Sequence, residues 1–368
     1  MTKTILYVSA ILVLFFSAGD LIGTEYNISA LDVFGAPKMV INNSGHYAGI
    51  VMATPPELYS RPVLNNGSTL INIAEPSNDF YDVAALNNND VVAGTKNTSA
   101  YVWSIGSGME FLGSLGGGYS FAYGINDNGV IVGRSWTGSY ENTDHAFYWD
   151  QSMHDLTPGA IYSTANGINN SGQIAGTVKV SILDQNPFRA FRFSTSGGMQ
   201  ALGTLGNEFC HSMGNAINEN GHVVGMSQTT LSDGETIASY HAFLWDGTMH
   251  DLGTLASPSS IFESYAYAIN ASDQVVGRAS TTGSPHAFLY DNGTMKDLND
   301  LIDPGLGWEL IEAFDINDSG QIVGMGSHNG QSAAYILNPV PEPCTLVMLI
   351  CGAAGLLVYK WRRKASQA

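Results

Sequence analysis

The sequence predicts an all-β fold: a seven-bladed β-propeller of four-stranded blades, closed by its own N-terminal strand and followed by a single C-terminal transmembrane helix. Three observations carry this. A marker Ile/Leu-Asn-x-x-Gly/Asp-x-apolar-apolar/Ala-Gly recurs seven times, with its Asn at 42, 87, 126, 169, 218, 270 and 317, spaced 39 to 52 residues apart. Repeats of that length made of short strands fit propeller blades. A second marker, x-Ala-aromatic-x-aromatic-Asp/Ser, alternates with the first, clearest as His145-Ala146-Phe147, Arg189-Ala190-Phe191, His241-Ala242-Phe243 and His286-Ala287-Phe288. Finally, residues 26–34 read as the outer strand of a unit with nothing before it, while the last unit stops at Leu337 without one. Pairing the two closes a ring and leaves no long open sheet edge. A β-solenoid or two stacked β-sandwiches are the alternative arrangements of the same strands.

The unit is clearest from His241 to Gly277. An aromatic strand ends at Trp245-Asp246, a tight turn leads to the strand Thr248–Leu252, and a loop reaches Ala-Tyr-Ala-Ile-Asn, a four-residue turn and Val-Val-Gly. In Asn-x-x-Gly the Asn suits position i of a type I turn and Gly position i+3, and the Asn side chain reaches the backbone two residues on. Asp90 and Asp273 replace Gly in two copies, and Asp tolerates the same left-handed geometry. The apolar segments are β-branched or aromatic and show no sustained helical period. Ser99-Ala100-Tyr101 and Ala333-Ala334-Tyr335 are weaker copies of the second marker, and Arg61-Pro62-Val63 is the most divergent.

Lys3, the apolar run Ile5–Phe16 and the small residues Ser17, Ala18 and Gly19 read as a signal peptide, residues 1–19; the competing reading is a retained anchor, for which the run is short. The propeller is expected over residues 26–338. Residues 339–343 form a linker and residues 344–368 a membrane helix with a basic tail. All 32 acidic residues lie between Asp20 and Glu342, with only nine of the 14 basic ones, leaving this body near −23. That charge argues against nucleic acid and anionic lipid surfaces. Cys210 is alone in the body, so no internal disulfide is expected there.

His145, His241 and His286 occupy equivalent positions in three units. They fit a repeated structural hydrogen bond better than a zinc site, because equivalent positions in adjacent blades stand a blade apart and zinc ligands must lie within about 2.0–2.1 Å of the metal. Asn126–Gly129 and Asn317–Gly320 lack the later bidentate Glu of a calcium loop. No phosphate loop or nucleophile elbow is present, so no catalytic residue, metal or cofactor is assigned. Alternation of strands puts the Asn-x-x-Gly turns at one end of the ring and the longer, variable loops at the other. Tyr59, Trp136, Tyr140, Phe209, Phe262 and Trp308 fall on those loops and are the candidate ligand face, since function concentrates in loops on a rigid scaffold.

The strand order, with the first strand outermost in the last unit, resembles WD-repeat proteins in architecture alone. The marker set resembles the bacterial extracellular HAF-repeat family over roughly Ala30 to Leu337, a resemblance that implies location and architecture rather than an activity. Pro341-Glu342-Pro343, the apolar run Cys344–Tyr359 and the basic residues Lys360, Arg362, Arg363 and Lys364 resemble the PEP-CTERM sorting signal. That resemblance implies an exosortase-type processing enzyme as a partner, an inner-membrane-anchored precursor and a mature form at the cell surface or outside the cell. Basic residues holding the tail inside agree with this orientation, and an ordinary single-span anchor is the competing reading. The expected function is a non-catalytic scaffold that binds exopolysaccharide, another glycan or a surface protein; the alternative is a secreted polysaccharide hydrolase or lyase using paired loop carboxylates.

Overall fold

The computed structural model describes residues 25–31, 38–52, 60–138, 144–179, 187–230, 237–256 and 262–340. The signal peptide, Tyr59, Tyr140, the Pro-Glu-Pro motif and the basic tail expected from the sequence lie outside the described residues. Among those described there is no α-helix, only strands and two 3-10 turns at Leu298–Leu301 and Pro304–Leu306.

Each repeat folds as one antiparallel sheet in chain order. In the fifth, Ser212–Ile217, Val223–Thr230, Ile237–Trp245 and Met249–Asp251 pair successively. Five sheets have four strands, and one has eight because a single parallel bridge, Asp144 with Tyr162, joins the third and fourth repeats. The Gly that ends the first marker is explained by packing. A Cβ on Gly277 would collide with the Tyr265 carbonyl and stand 2.9 Å from the Phe288 ring; at Gly133 the same place is filled by Phe121 and Phe147. The rings of Phe147, Phe191 and Phe288 lie over Gly133, Gly176 and Gly277, and together with Phe243 they are fully buried. Burial of one such side chain stabilises by about 1.5–3 kcal/mol.

Sheets pack face to face in sequence. Seven apolar clusters among the described residues each join one repeat to the next. In one, Val224, Ala242 and Leu252 of the fifth repeat meet Ala266, Val275 and Phe288 of the sixth. In another, Leu31, Phe314 and Val323 of the last sheet meet Met39, Ile41 and Val63 of the first. That last sheet is completed by the chain's own beginning: Tyr26–Leu31 pairs antiparallel with Gln331–Pro339, Tyr26 opposite Pro339 and Leu31 opposite Ala334. The core therefore runs around an axis, and the first strand of every repeat faces that axis.

Candidate functional site

The turn end is built from one residue used seven times. In each marker the Asn Oδ1 accepts from its own turn, as Asn218 does from the amides of Asn220 and His222. Its Nδ2 reaches further, to the backbone carbonyl of the next marker Asn. Asn42 donates to Asn87, Asn87 to Asn126, Asn126 to Asn169, Asn169 to Asn218, Asn218 to Asn270, Asn270 to Asn317, and Asn317 back to Asn42, at 2.9–3.1 Å. These Asn side chains are 3–5 % exposed, and a buried amide left without partners costs about 1–3 kcal/mol. The residue after each Asn adds an outer circle of bonds, such as the Asn88 amide to Asp127 and the Asp318 amide to Asn43. The two Asp-for-Gly exchanges are also accounted for. Asp90 accepts from Asn42 and binds His46, and Asp273 accepts from Asn218 and binds His222, each pair bridging two repeats at 2.7–2.9 Å.

Above the turns the axis holds two features. The marker residues before the Asn, among them Ile41, Ile125, Ile217 and Ile316, form an apolar throat that lines the small cavity at the turn end. Toward the long-loop end the axis opens into a cavity of about 410 Å³. Its wall comes from a repeated backbone irregularity: the inner strand bulges three residues before the marker Asn, between Ala122 and Gly124, Ala165 and Gly167, Gly214 and Ala216, and Ala266 and Ala268. The extra residue is left out of the ladder and is turned toward the axis. In these repeats it is Tyr123, Asn166, Asn215 and Tyr267, and Phe314 holds the same place in the last.

Two of the cations around the cavity are paired, and Lys38 lines it without an ion pair among the described residues. Glu312 pairs with Arg278 at 2.8 Å. Arg134 donates from Nε to the Tyr123 hydroxyl at 2.8 Å and from Nη1 to Asp144 at 2.7 Å. Asp315 stands where the other inner strands carry Gly, Ala or Val; it accepts from the amides of Ile41 across the first and last repeats and of Ile316. Burial pushes its carboxyl up to about 6, against the pull of those amides and of the Lys38 charge. Burial likewise raises Asp82, which also feels Lys38. The Tyr267 hydroxyl is held up to about 12 by burial first and by the nearby Glu312 charge.

The sequence-assigned residues are dispersed. Trp136 stacks on Tyr119 at 5.2 Å and Trp308 on His328 at 4.5 Å, so both rings are engaged within the protein. Phe209 is 52 % exposed, and Phe262 is partly buried, with its carbonyl accepting from Ser239. Nothing in the described structure gathers these four around one point. His145, His241 and His286 bond through Nδ1 to Asp155, Asp251 and Asp297 on the outer strand of the same sheet, at 2.7, 3.0 and 2.6 Å. Around Asp251, burial raises the carboxyl while the bonds from His241 and the Gly253 amide outweigh it and lower it. Among the described residues no three His, Cys, Asp or Glu side chains come together as metal ligands. The axial residues were passed over in the sequence because the residue type changes between aromatic and amide from repeat to repeat; their signal is position, three before each Asn.

Comparison with solved structures fixes the architecture. The β-propeller domain of the Trilobed protease from Pyrococcus furiosus superposes with a TM-score of 0.50 at 13% identity, over 73% of this chain and 85% of that one. The fold is a β-propeller. The acylaminoacyl peptidase of Pyrococcus horikoshii matches with a TM-score of 0.50 at 10% identity, over 89% of this chain but only 54% of its own length. At such identities the likeness speaks for the propeller fold alone. Residues 198–335 match a family described as protein of unknown function DUF3466. No curated protein matches the sequence.

Proposed function

We propose that the protein is a non-catalytic, seven-bladed propeller scaffold, exported to the cell surface or extracellular matrix, that receives a glycan or surface-protein ligand at its long-loop end. The blade count is supported by the asparagine relay, which returns to Asn42 after seven steps, and by the strand Tyr26–Leu31 that joins the chain's two ends. The observation that carries the binding role is the axial cavity. Its frame repeats, but the side chains that the bulges present change between aromatic and amide, which is how a rigid scaffold displays a specific site.

A catalytic reading needs two free carboxyls in reach of one bond. The carboxylates at this cavity, Glu312 and Asp315, are held by Arg278 and by backbone amides. Export and sorting by an exosortase-type enzyme rest on the N-terminal apolar run and on Pro341-Glu342-Pro343 with its apolar and basic tail. Among the described residues no helix is long and apolar enough to cross a membrane, and the tail lies outside them. A screen of the purified protein against immobilised glycans, run beside a degradation screen on polysaccharides, tests the reading: retention without new chain ends supports it, and cleavage contradicts it. Intact-mass measurement of protein from the surface of a host with an exosortase tests the sorting; loss of everything after the motif supports it, and a retained Lys360–Ala368 tail overturns it.

A further inference from the structure

We propose, resting on that binding role, that the axial cavity takes the terminal ring of a polysaccharide rather than an internal stretch of chain. Three properties of the wall specify the ligand. First, Tyr123, Tyr267 and Phe314 bring aromatic rings to one small space, and such rings offer flat apolar faces of the kind that stack on the C–H face of a pyranose. Second, the polar atoms left over suit hydroxyl groups. Asn166 and Asn215 use their Nδ2 to bind the carbonyls of Gly214 and Ala266, at 2.7 and 2.8 Å, so their Oδ1 atoms remain to accept. The Tyr123 oxygen already accepts from Arg134, so its own hydrogen remains to donate. A hydroxyl is both donor and acceptor, and can satisfy each of these at once.

Third, charge and depth narrow the class. Glu312 is neutralised by Arg278, and Lys38 lines the cavity with no ion pair of its own among the described residues. A cationic sugar finds no uncommitted acid there, whereas Lys38 suits a hydroxyl or a carboxylate. The volume of about 410 Å³ lies at the small end of the ~300–1,000 Å³ usual for ligand pockets, enough for one or two rings. Beyond it stands the apolar throat of Ile41, Ile125, Ile217 and their counterparts. The cavity past that throat is only about 160 Å³, less than half the axial one, and leaves little room for a run of sugar rings to continue. The axial cavity therefore reads an end.

The test uses the full chain in detergent on an array of oligosaccharides ending in glucose, galactose, mannose, rhamnose, N-acetylglucosamine or glucuronic acid, with methyl glycosides of the same sugars as competitors. The wild-type protein is expected to be retained, and the methyl glycoside of the matching terminal sugar to displace it. Tyr267→Leu should weaken retention at least tenfold, and Tyr267→Phe, which keeps the ring and its packing, a few-fold. Ile105→Ser, at an exposed short turn between the strands Ser99–Ser104 and Gly108–Phe111, should leave it unchanged. Retention lost with Phe209→Ser but kept with both Tyr267 variants, or displaced only by longer internal fragments, overturns the axial site while leaving a loop-face binding protein. No retention on any glycan of the array overturns the axial site and, with it, the glycan form of the binding role.

Discussion

The two ends of the axis use repetition in opposite ways. At the turn end the same Asn makes the same bonds in every repeat, and its side chain is spent on the neighbouring turn. A few residues along the same inner strands, the bulge position carries Tyr123, Asn166, Asn215, Tyr267 or Phe314, and much of its polar capacity is unspent. Identical residues in every blade serve the ring; a residue that changes from blade to blade, on a backbone that does not, serves a ligand. Substitutions at the two positions should therefore separate stability from binding.

The largest effect is expected where the ring joins. Removing Tyr26–Leu31 strips two buried side chains, Tyr26 and Leu31, and leaves the strand Gln331–Pro339 as an open edge. At about 1.5–3 kcal/mol per side chain, with the edge exposed as well, the melting midpoint should fall by about 10 °C or more. Thermal denaturation followed by circular dichroism measures this; an unchanged midpoint would show that the N-terminal strand does not complete the last sheet.

Next come single residues of the turn. Gly221 has φ of +78°, and a side chain there would meet Gln173 Oε1 at 2.7 Å, so Gly221→Val should cost about 3 kcal/mol or more. Asn218→Ala removes the donor to Asn270 and the acceptor for two turn amides and should cost about 2–3 kcal/mol. Equal and negligible losses in urea unfolding would contradict the relay.

A smaller, pH-dependent effect is expected from Asp315, inside the cavity region. Its folded-state value of about 6 lies above the usual 3.8, so between these values the folded chain holds a proton that the unfolded chain has released. Its contribution is then fully present below pH about 3.8 and is lost as pH rises through 6. Relative to Asp315→Asn, which does not titrate, the wild type should lose about 1–2 kcal/mol between pH 4 and 7. A difference between the two proteins that is independent of pH would remove the burial account.

The scaffold was legible because its causes are local. Asn-x-x-Gly sets a turn, alternating apolar and small residues set strands, and the unmatched segment at residues 26–34 pointed to the strand that joins the last sheet. What each Asn does beyond its own turn was not legible, since its partner lies 39 to 52 residues away and is a backbone carbonyl that any sequence would supply. The exchange of Gly for Asp at 90 and 273 held a readable trace: both follow a repeat with His four residues after its Asn, His46 and His222. Trp136 and Trp308 drew attention as large loop aromatics, yet stacking on Tyr119 and His328 occupies them. The cavity escaped because a bulge is invisible to a two-residue period, and two Tyr, two Asn and a Phe spread over five repeats make no motif.

The separation of frame from site is tested most directly by measuring melting midpoint and glycan retention on the same preparations of Asn218→Ala and Tyr267→Phe. Asn218→Ala should lower the midpoint by several degrees and, below it, bind as the wild type does. Tyr267→Phe should melt as the wild type does and bind a few-fold more weakly. Binding that is lost with Asn218→Ala at temperatures where it is fully folded, or left untouched by Tyr267→Phe, would contradict the assignment of the turn end to stability and the axial cavity to recognition.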